Sequence, residues 1–512
     1  VAASADSIPP RRDLLVSDPV AAVDLGSNSF HLLVAQRVDG ELRLVDRLRE
    51  RVALAAGLDA EKNLSPAAVE RALACLGRFG QRLADFPTGN VRAVGTNTLR
   101  QARNGRQLLE RAEAVLGHPI EIISGKEEAR LVYHGVASTQ PAAPNPRLVV
   151  DVGGGSTECI VGSGDDVIEA DSLFMGCLSY SLRYFPGGQI TKAGMDEACL
   201  AASLEFKTIE KRFRAVGWKT ALGSSGTALA LAEVGRAFEP DILGLTGKSL
   251  RKIRKHLISV GHVEGIGLPT LQEDRKPVLP GGVAIFSALF DVLGVDRLHP
   301  SQGALREGVI HDLLGRIHHE DIRERTIDQF AQRFQVDREQ AARVEATAVA
   351  LLEQVAKAWG LDAAPARDFL RWAARLHEVG MSLSYSGHHR HGAYLLEHAD
   401  MAGFSQDDQR ALATLVGSHR RKLRRGAFEE LPGPRTERAL RLAMLLRLAA
   451  RLHRDRTDKE LPALRLRPLK KHGLEVAFPR GWLAANPLSR ADLSVEAGYL
   501  AEAGIKLVVT SY

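Results

Sequence analysis

Two short stretches set an aspartate, glycines and a serine at the same spacing: Asp24-Leu-Gly-Ser-Asn-Ser29 and Asp151-Val-Gly-Gly-Gly-Ser156. An apolar run precedes each, and another follows, Phe30-His-Leu-Leu-Val34 and Cys159-Ile-Val161. Strand, Gly/Ser turn and returning strand is a hairpin pattern, unlike the strand-to-helix turn of a P-loop. Such a turn exposes backbone N–H groups and hydroxyls on one side, a lining that suits phosphate oxygens. The aspartate at the strand end can hold a divalent cation or orient water beside that phosphate. One such turn is most often only a turn. Two of them 127 residues apart, with a third Gly/Ser cluster at Leu222-Gly-Ser-Ser-Gly-Thr227, point to an anion site.

Glu158 lies seven residues after Asp151, where the returning strand of a hairpin would set it beside that aspartate. An Asp and a Glu with several waters is the hard-oxygen surrounding that Mg²⁺ prefers, although an exposed strand glutamate has the same spacing. In Ser124-Gly-Lys-Glu-Glu128 the first glutamate, Glu127, completes a capping box with Ser124. Glu128 falls on the row leading to Leu131, Val132 and Gly135, the side expected to face the protein body. There it is either an ordinary first-turn acid or a general base for water. Arg100, after Gly95-Thr-Asn-Thr98, offers a bidentate fork for phosphate or is a surface residue.

The elements that must hold these residues can be read around them. Ser65-Pro66 starts a helix with an apolar stripe at Val69, Leu73, Leu76, Phe79 and Leu83. Strands follow at Val91–Val94 and Ile120–Ile123, and the second feeds a helix at Ser124-Gly125. The Pro/Ala/Asn run 141–146 reads as a linker. Repetition of the hairpin at domain-sized spacing predicts two similar α/β lobes, 19–140 and 147–317. Beyond them, Asp337–Trp359, Ala366–Val379 and Arg435–Leu452 carry helical periodicity, and Leu474–Phe478 and Ile505–Thr510 read as short strands. The expected organisation is therefore a disordered tail (1–18), two lobes, a helical domain (318–430) and a helical and strand-containing unit (431–512).

Composition frames this reading. The 512 residues are 45% apolar and 25% charged, which excludes a mostly disordered, collagen-like or disulfide-stapled chain. From Gly417 to Lys471 there are 17 Lys and Arg against 6 Asp and Glu, a balance of +11, so the other 457 residues carry −5 of the overall +6. A basic segment on a mildly acidic body suits a polyanionic partner. Cys75, Cys159, Cys177 and Cys199 form no C-x-x-C pair, and a reducing cytoplasm fits them best. No membrane span is expected, and residues 1–18 lack the apolar core of a signal peptide.

Four strings, Ala22-Val-Asp-Leu-Gly-Ser-Asn-Ser-Phe-His31, Gly95-Thr-x-Thr-x-Arg100, Ile123-Ser-Gly-Lys-Glu-Glu-Ala-Arg130 and Asp151-Val-Gly-Gly-Gly-Ser-Thr-Glu158, together resemble the exopolyphosphatase/guanosine pentaphosphate phosphohydrolase family of the actin-like superfamily. The resemblance implies two actin-like (ribonuclease H-like) lobes followed by a helical HD-like domain and a small strand-containing unit. It implies water attack on a terminal phosphate, with Glu128 as the catalytic base. Asp151 and Glu158 match the family's metal-associated carboxylates. Ser27, Asn28, Ser29, Arg100, Gly153, Gly154, Gly155 and Ser156 match its phosphate contacts. Magnesium is the implied cofactor, with potassium used by related enzymes, and a homodimer is implied.

Phe369-Leu-Arg-Trp-Ala-Ala-Arg-Leu-His377-Glu378, with His388, His389, His391, His398 and His419, resembles an HD-type metal phosphohydrolase, but the dyad reads His-Glu, not His-Asp. No working metal centre is expected there. Arg420, Arg421 and Lys422 are expected to hold the distal part of a long inorganic polyphosphate. The expectation is a processive exopolyphosphatase, with guanosine pentaphosphate (pppGpp) phosphatase as the alternative. An ATP-using kinase and a catalytically silent polyphosphate- or RNA-binding protein are the other classes. The absence of aromatics interleaved with the basic run lowers nucleic acid as a partner.

Overall fold

The computed structural model describes residues 18–38, 41–140, 145–268, 270–317, 321–361, 364–431, 433, 435–458, 460–470 and 472–512. The expected tail lies, apart from Asp18, outside the described residues, as does most of the 141–146 run. The chain forms two compact units divided between Glu320 and Asp321.

The first unit holds both lobes. In lobe I, β1 (Val20–Leu25), β2 (Ser29–Val38), β3 (Glu41–Arg51), β4 (Val91–Gly95) and β5 (Ile120–Ile122) make a sheet of order β3-β2-β1-β4-β5. Strands β1 to β3 meander antiparallel, while β4 and β5 add in parallel. Lobe II repeats this plan with β6 (Arg147–Val152), β7 (Thr157–Ser163), β8 (Asp166–Leu173), β9 (Thr220–Gly223) and β11 (Arg297–Pro300); β10 (Leu245–Thr246) is added at the edge. Order and strand directions recur in both sheets, the duplicated actin-like architecture.

Each anticipated hairpin gains a third strand. The sequence of β3, ELRLVDRLRER, is so charged that its alternation is masked, as suits an edge strand whose outer face meets water. The helix expected at Ser65-Pro66 runs Pro66–Leu83, with Ser65 Oγ accepting from the Ala68 N–H, and buries Leu73, Leu76, Phe79 and Leu83. The Gly95–Arg100 segment, read as a turn, includes a one-turn helix, Asn97–Gln101.

Helices Gly125–Ala137 and Leu305–Ile317 cross backbone to backbone over the sheets. A Cβ on Gly308 would stand 1.8 Å from the Leu131 carbonyl oxygen, and one on Gly135 2.0 Å from that of Ala304. Around them Val20, Ala22, Leu33, Val149, Ile160 and Val309 form one core shared by both lobes. A buried charge network ties the same region: Asp312 lies 2.7 Å from Arg92 and also pairs with Arg130, whose fork grips Glu127 at 2.8 Å.

Among the described residues, Glu273–Leu293 is the one helical stretch long and apolar enough to cross a bilayer. This stretch departs from the expectation that no run of membrane-spanning length is present. Its apolar residues, including Val283, Ile285, Phe286 and Leu289, are packed into the lobe II core.

The second unit is mainly helical. Arg338–Trp359, Ala364–Leu376, Gln406–Ser418 and Arg435–Leu452 pack around one core with a three-stranded sheet of β12 (Arg465–Leu469), β13 (Gly473–Phe478) and β14 (Leu507–Ser511). Residues 318–430 and 431–512, read separately from the sequence, share that interior: it runs from Ile327 to Leu507.

Candidate active site

The two Asp-x-Gly-x-x-Ser hairpins meet. Direct cross-strand partners project to one face, and the register pairs Asp24 with His31 and Asp151 with Glu158. The turns joining these strands approach so closely that a Cβ on Gly154 would lie 3.2 Å from the Asn28 nitrogen. One on Gly155 would lie 2.6 Å from Asn97 Nδ2 and 3.0 Å from Ser27 Oγ. Side chains are excluded there, so backbone and small hydroxyls form the floor. The Thr98 hydroxyl donates to Ser27 Oγ at 2.8 Å, fixing the first turn.

Between the turns opens a cavity of about 280 Å³, to which Ser27, Asn28, Ser29, Gly153, Gly154, Gly155 and Ser156 all contribute. The third Gly/Ser cluster closes it: Ser224–Thr227 line the cavity at the start of helix Gly226–Phe238, whose N-terminus adds partial positive charge.

Glu128 also lines the cavity. Only the Ser124 half of the expected capping box is present, and the Glu127 carboxylate turns to Arg130 rather than back to the Ser124 N–H. Glu127 offers its N–H to Ser124 Oγ at 3.1 Å and its carboxylate to Arg130, while Glu128 turns to the cavity. Arg100 Nη1 bridges the Ile123 carbonyl and Glu128 Oε2, both at 2.8 Å. The fork expected on phosphate is thus engaged with the glutamate in this structure. Burial raises the Glu128 pKa above the ordinary carboxylate range, and Arg100 opposes the rise.

Three further carboxylates face the same space. Burial pushes Asp24 up to about 8 and Asp151 to about 6; nearby Glu128 adds to both shifts, and the Ser224 hydroxyl, 2.6 Å from Asp151 Oδ2, holds the second down. Glu158, which accepts from the Ser172 hydroxyl at 2.8 Å, is raised well above its usual value by burial and by Glu128 and Asp151. Four acids sharing one low-dielectric cleft, with Asp24 Oδ1 buried and unpartnered, make a hard-oxygen environment short of positive charge. Among the described residues no three His, Cys, Asp or Glu side chains have metal-holding geometry. A divalent cation of the Mg²⁺ type needs only one or two carboxylates, with water and phosphate oxygens completing its shell, and these residues fit that pattern.

Cations answer from elements the motifs do not mark. Arg47 and Arg49 reach the rim from β3, and Arg306 comes from the Leu305–Ile317 helix. Arg275 lies against the third turn, where a Cβ on Gly226 would sit 2.2 Å from its guanidinium. No motif points to these arginines; their signal exists only in the folded chain. His31 lines the cleft with a buried, unpartnered Nδ1, and burial beside Arg306 lowers its pKa to about 3, so it is neutral.

Of the remaining expected site residues, Arg420 and Arg421 line a separate cavity in the second unit, and Lys422 lies exposed, 3.0 Å from Glu502.

A cleft of backbone turns, arginines and buried carboxylates on a duplicated sheet is machinery for phosphate. The comparisons agree. Residues 33–317 match the Ppx/GppA phosphatase family and residues 322–497 match Ppx/GppA phosphatase, domain III. A guanosine-5'-triphosphate,3'-diphosphate pyrophosphatase of Pseudoalteromonas translucida is 38% identical over 96% of this chain and 98% of its own. One of Aeromonas hydrophila is 40% identical over 93% and 95%. Among solved structures, an exopolyphosphatase from Cytophaga hutchinsonii superposes with a TM-score of 0.53 at 22% identity, covering 58% of this chain and 98% of that one. The Ppx/GppA family member of Aquifex aeolicus gives 0.50 at 26% identity, covering 59% and 99%. On family matches to both units and full-length relatives near 40% identity, the chain belongs to the Ppx/GppA phosphatase family and is a phosphoanhydride hydrolase.

Proposed function

We propose that this cleft removes the terminal phosphate of a guanosine 5'-triphosphate 3'-diphosphate, releasing orthophosphate by direct attack of water. The observation that carries the reaction is the meeting of two Gly/Ser turns over a buried glutamate. Charge spreads over the transferring phosphoryl group and the leaving oxygen, so fixed donors and guanidinium groups supply most of the stabilisation. Ser27, Asn28, Ser29 and Gly153 to Ser156 cradle the terminal phosphate, while Arg275 and Arg306 meet the rest of the phosphate chain. Glu128 orients water and takes its proton, and its raised pKa suits that task near neutral pH. Arg100 holds Glu128 in place. Asp151 and Glu158, with the Asp24 charge beside them, would hold Mg²⁺, which would supply charge neutralisation to the phosphates when bound.

The relatives that match nearly the whole chain support the nucleotide as substrate. Inorganic polyphosphate is the second reading, favoured by the +11 segment between Gly417 and Lys471. Phosphate release compared among guanosine pentaphosphate, tripolyphosphate and long polyphosphate separates the two. The nucleotide is expected to have a kcat/KM at least about tenfold higher, a difference of ~1.4 kcal/mol in transition-state binding. The reverse order would establish the polymer as substrate.

A further inference from the structure

The helical unit carries its own polar cavity, of about 330 Å³, at the position of the HD-like signature. One wall is imidazole. The ring centroids of His377 and His388 each lie 5.3 Å from that of His419. The Nδ1 atoms of His377 and His419 sit 2.7 and 2.6 Å from the carbonyls of Ala374 and Val416, to which they donate. That leaves both Nε2 atoms as acceptors, and burial lowers all three pKa values, so the wall is neutral at pH 7. Glu378, which stands where the signature has aspartate, is ion-paired with Arg456.

The charge of the cavity comes from Arg420, Arg421, Arg451, Arg454 and Arg456. Three of these already answer to carboxylates: Arg456 to Glu378 and Asp337, Arg454 to Asp492, and Arg451 to Glu496 at 3.1 Å. Among the described residues, no carboxylate pairs with Arg420 or Arg421. Arg420 instead lies 3.1 Å from His388 Nδ1, with its guanidinium 5.9 Å from the centre of the Tyr385 ring.

Their presentation is built in. Arg447, wholly buried and paired with Glu496, donates to the carbonyls of Ser418 and Arg421, the latter at 2.6 Å. Arg421 is thereby held at φ 63°, a left-handed conformation that a non-glycine residue adopts only when its surroundings impose it. Of the neighbouring cations, Lys422 pairs with Glu502 and Arg425 with Glu429, and Arg424 does not line this cavity.

We propose that this cavity is a second anion site, distinct from the hydrolytic cleft, which takes a phosphate-bearing ligand of di- or triphosphate size on Arg420 and Arg421. Two guanidinium forks beside a neutral wall, Arg420 seated against His388 and Arg421 on a fixed backbone, match phosphate oxygens bidentately. The Tyr385 ring, 73% exposed at the cavity mouth, offers a face for a planar group if the phosphates belong to a nucleotide. The site does not depend on which substrate the cleft hydrolyses.

The test is calorimetric titration of the full chain carrying Glu128→Gln, using tripolyphosphate and GTP as separate probes. Two equivalents per chain are expected, one of which disappears in Arg420→Gln/Arg421→Gln; Arg420→Gln alone should weaken that equivalent about tenfold or more. Loss of GTP affinity, but not tripolyphosphate affinity, in Tyr385→Ser would assign the site to a nucleotide. Equal affinities would assign it to the phosphates alone. Unchanged stoichiometry and affinity in the double variant would overturn the proposal, as would a single equivalent that Arg275→Gln removes. Hydrogen exchange on the unsubstituted chain guards against a misfolded variant. Saturating tripolyphosphate should slow exchange in 377–388 and 418–421, and no slowing there refutes the site.

Discussion

At Glu128 two forces work against each other: burial favours the neutral acid, and Arg100, 2.8 Å away, favours the carboxylate. A base poised in this way should be lost without loss of binding. Glu128→Gln is expected to lower kcat by about 10²–10⁴-fold with KM changed only a few-fold, checked by steady-state phosphate release. Asp24 titrates differently. Its folded pKa of about 8 lies far above the unfolded value of 3.8, so the folded chain binds that proton more tightly. The stabilisation is complete at acid pH and is lost as pH rises through 8. Asp24→Asn should therefore melt higher than the parent, with the gap widening from pH 4 to pH 8 and reaching about 4 °C or more, as thermal unfolding without divalent cations would show. Added Mg²⁺ should raise the parent's midpoint at pH 8 more than the variant's.

Strands and helices set the distances that such residues need. The hairpins were legible because apolar runs flank their turns, and the register that seats Glu158 beside Asp151 follows from an uninterrupted antiparallel ladder. Strands β3 and β8 were not legible. The first is charged throughout and the second, DVIEADSL, mixes acids with single apolar residues, so neither shows a run that stands out. The close approach of elements is as specific as their pairing. Gly155→Ala would drive a methyl group into Asn97 and part the two turns, so activity is expected to fall at least about tenfold while the melting point moves little. Gly308→Ala meets the Leu131 carbonyl instead, between two helices that cannot separate without opening the shared core. Its expected effect is a loss of ~1–3 kcal/mol in stability, measured by urea denaturation.

For the whole molecule, charge and substrate go together. Lobe and cleft carry the acids that want a cation, while the basic excess lies in the second unit. Salt should therefore act unequally: turnover of long polyphosphate is expected to fall more steeply between low and physiological ionic strength than turnover of guanosine pentaphosphate, because more contacts are screened. Parallel salt series with both substrates would reveal it.

Local order along the chain was enough to mark the duplicated hairpins, the Ser124 cap ahead of the two glutamates, and the helical character of the second unit, because strand alternation, turn chemistry and capping are set by neighbours within a few residues. Which cations close the cleft, and what Arg100 holds, were decided only by tertiary structure. Arg275 lies against Gly226 from 49 residues away, and Arg306 reaches the cleft 282 residues after Asp24, where no spacing rule connects them. The same holds for the paired and unpaired arginines around His377: an arginine in a sequence is simply a cation, and only packing shows which ones have already found their carboxylate.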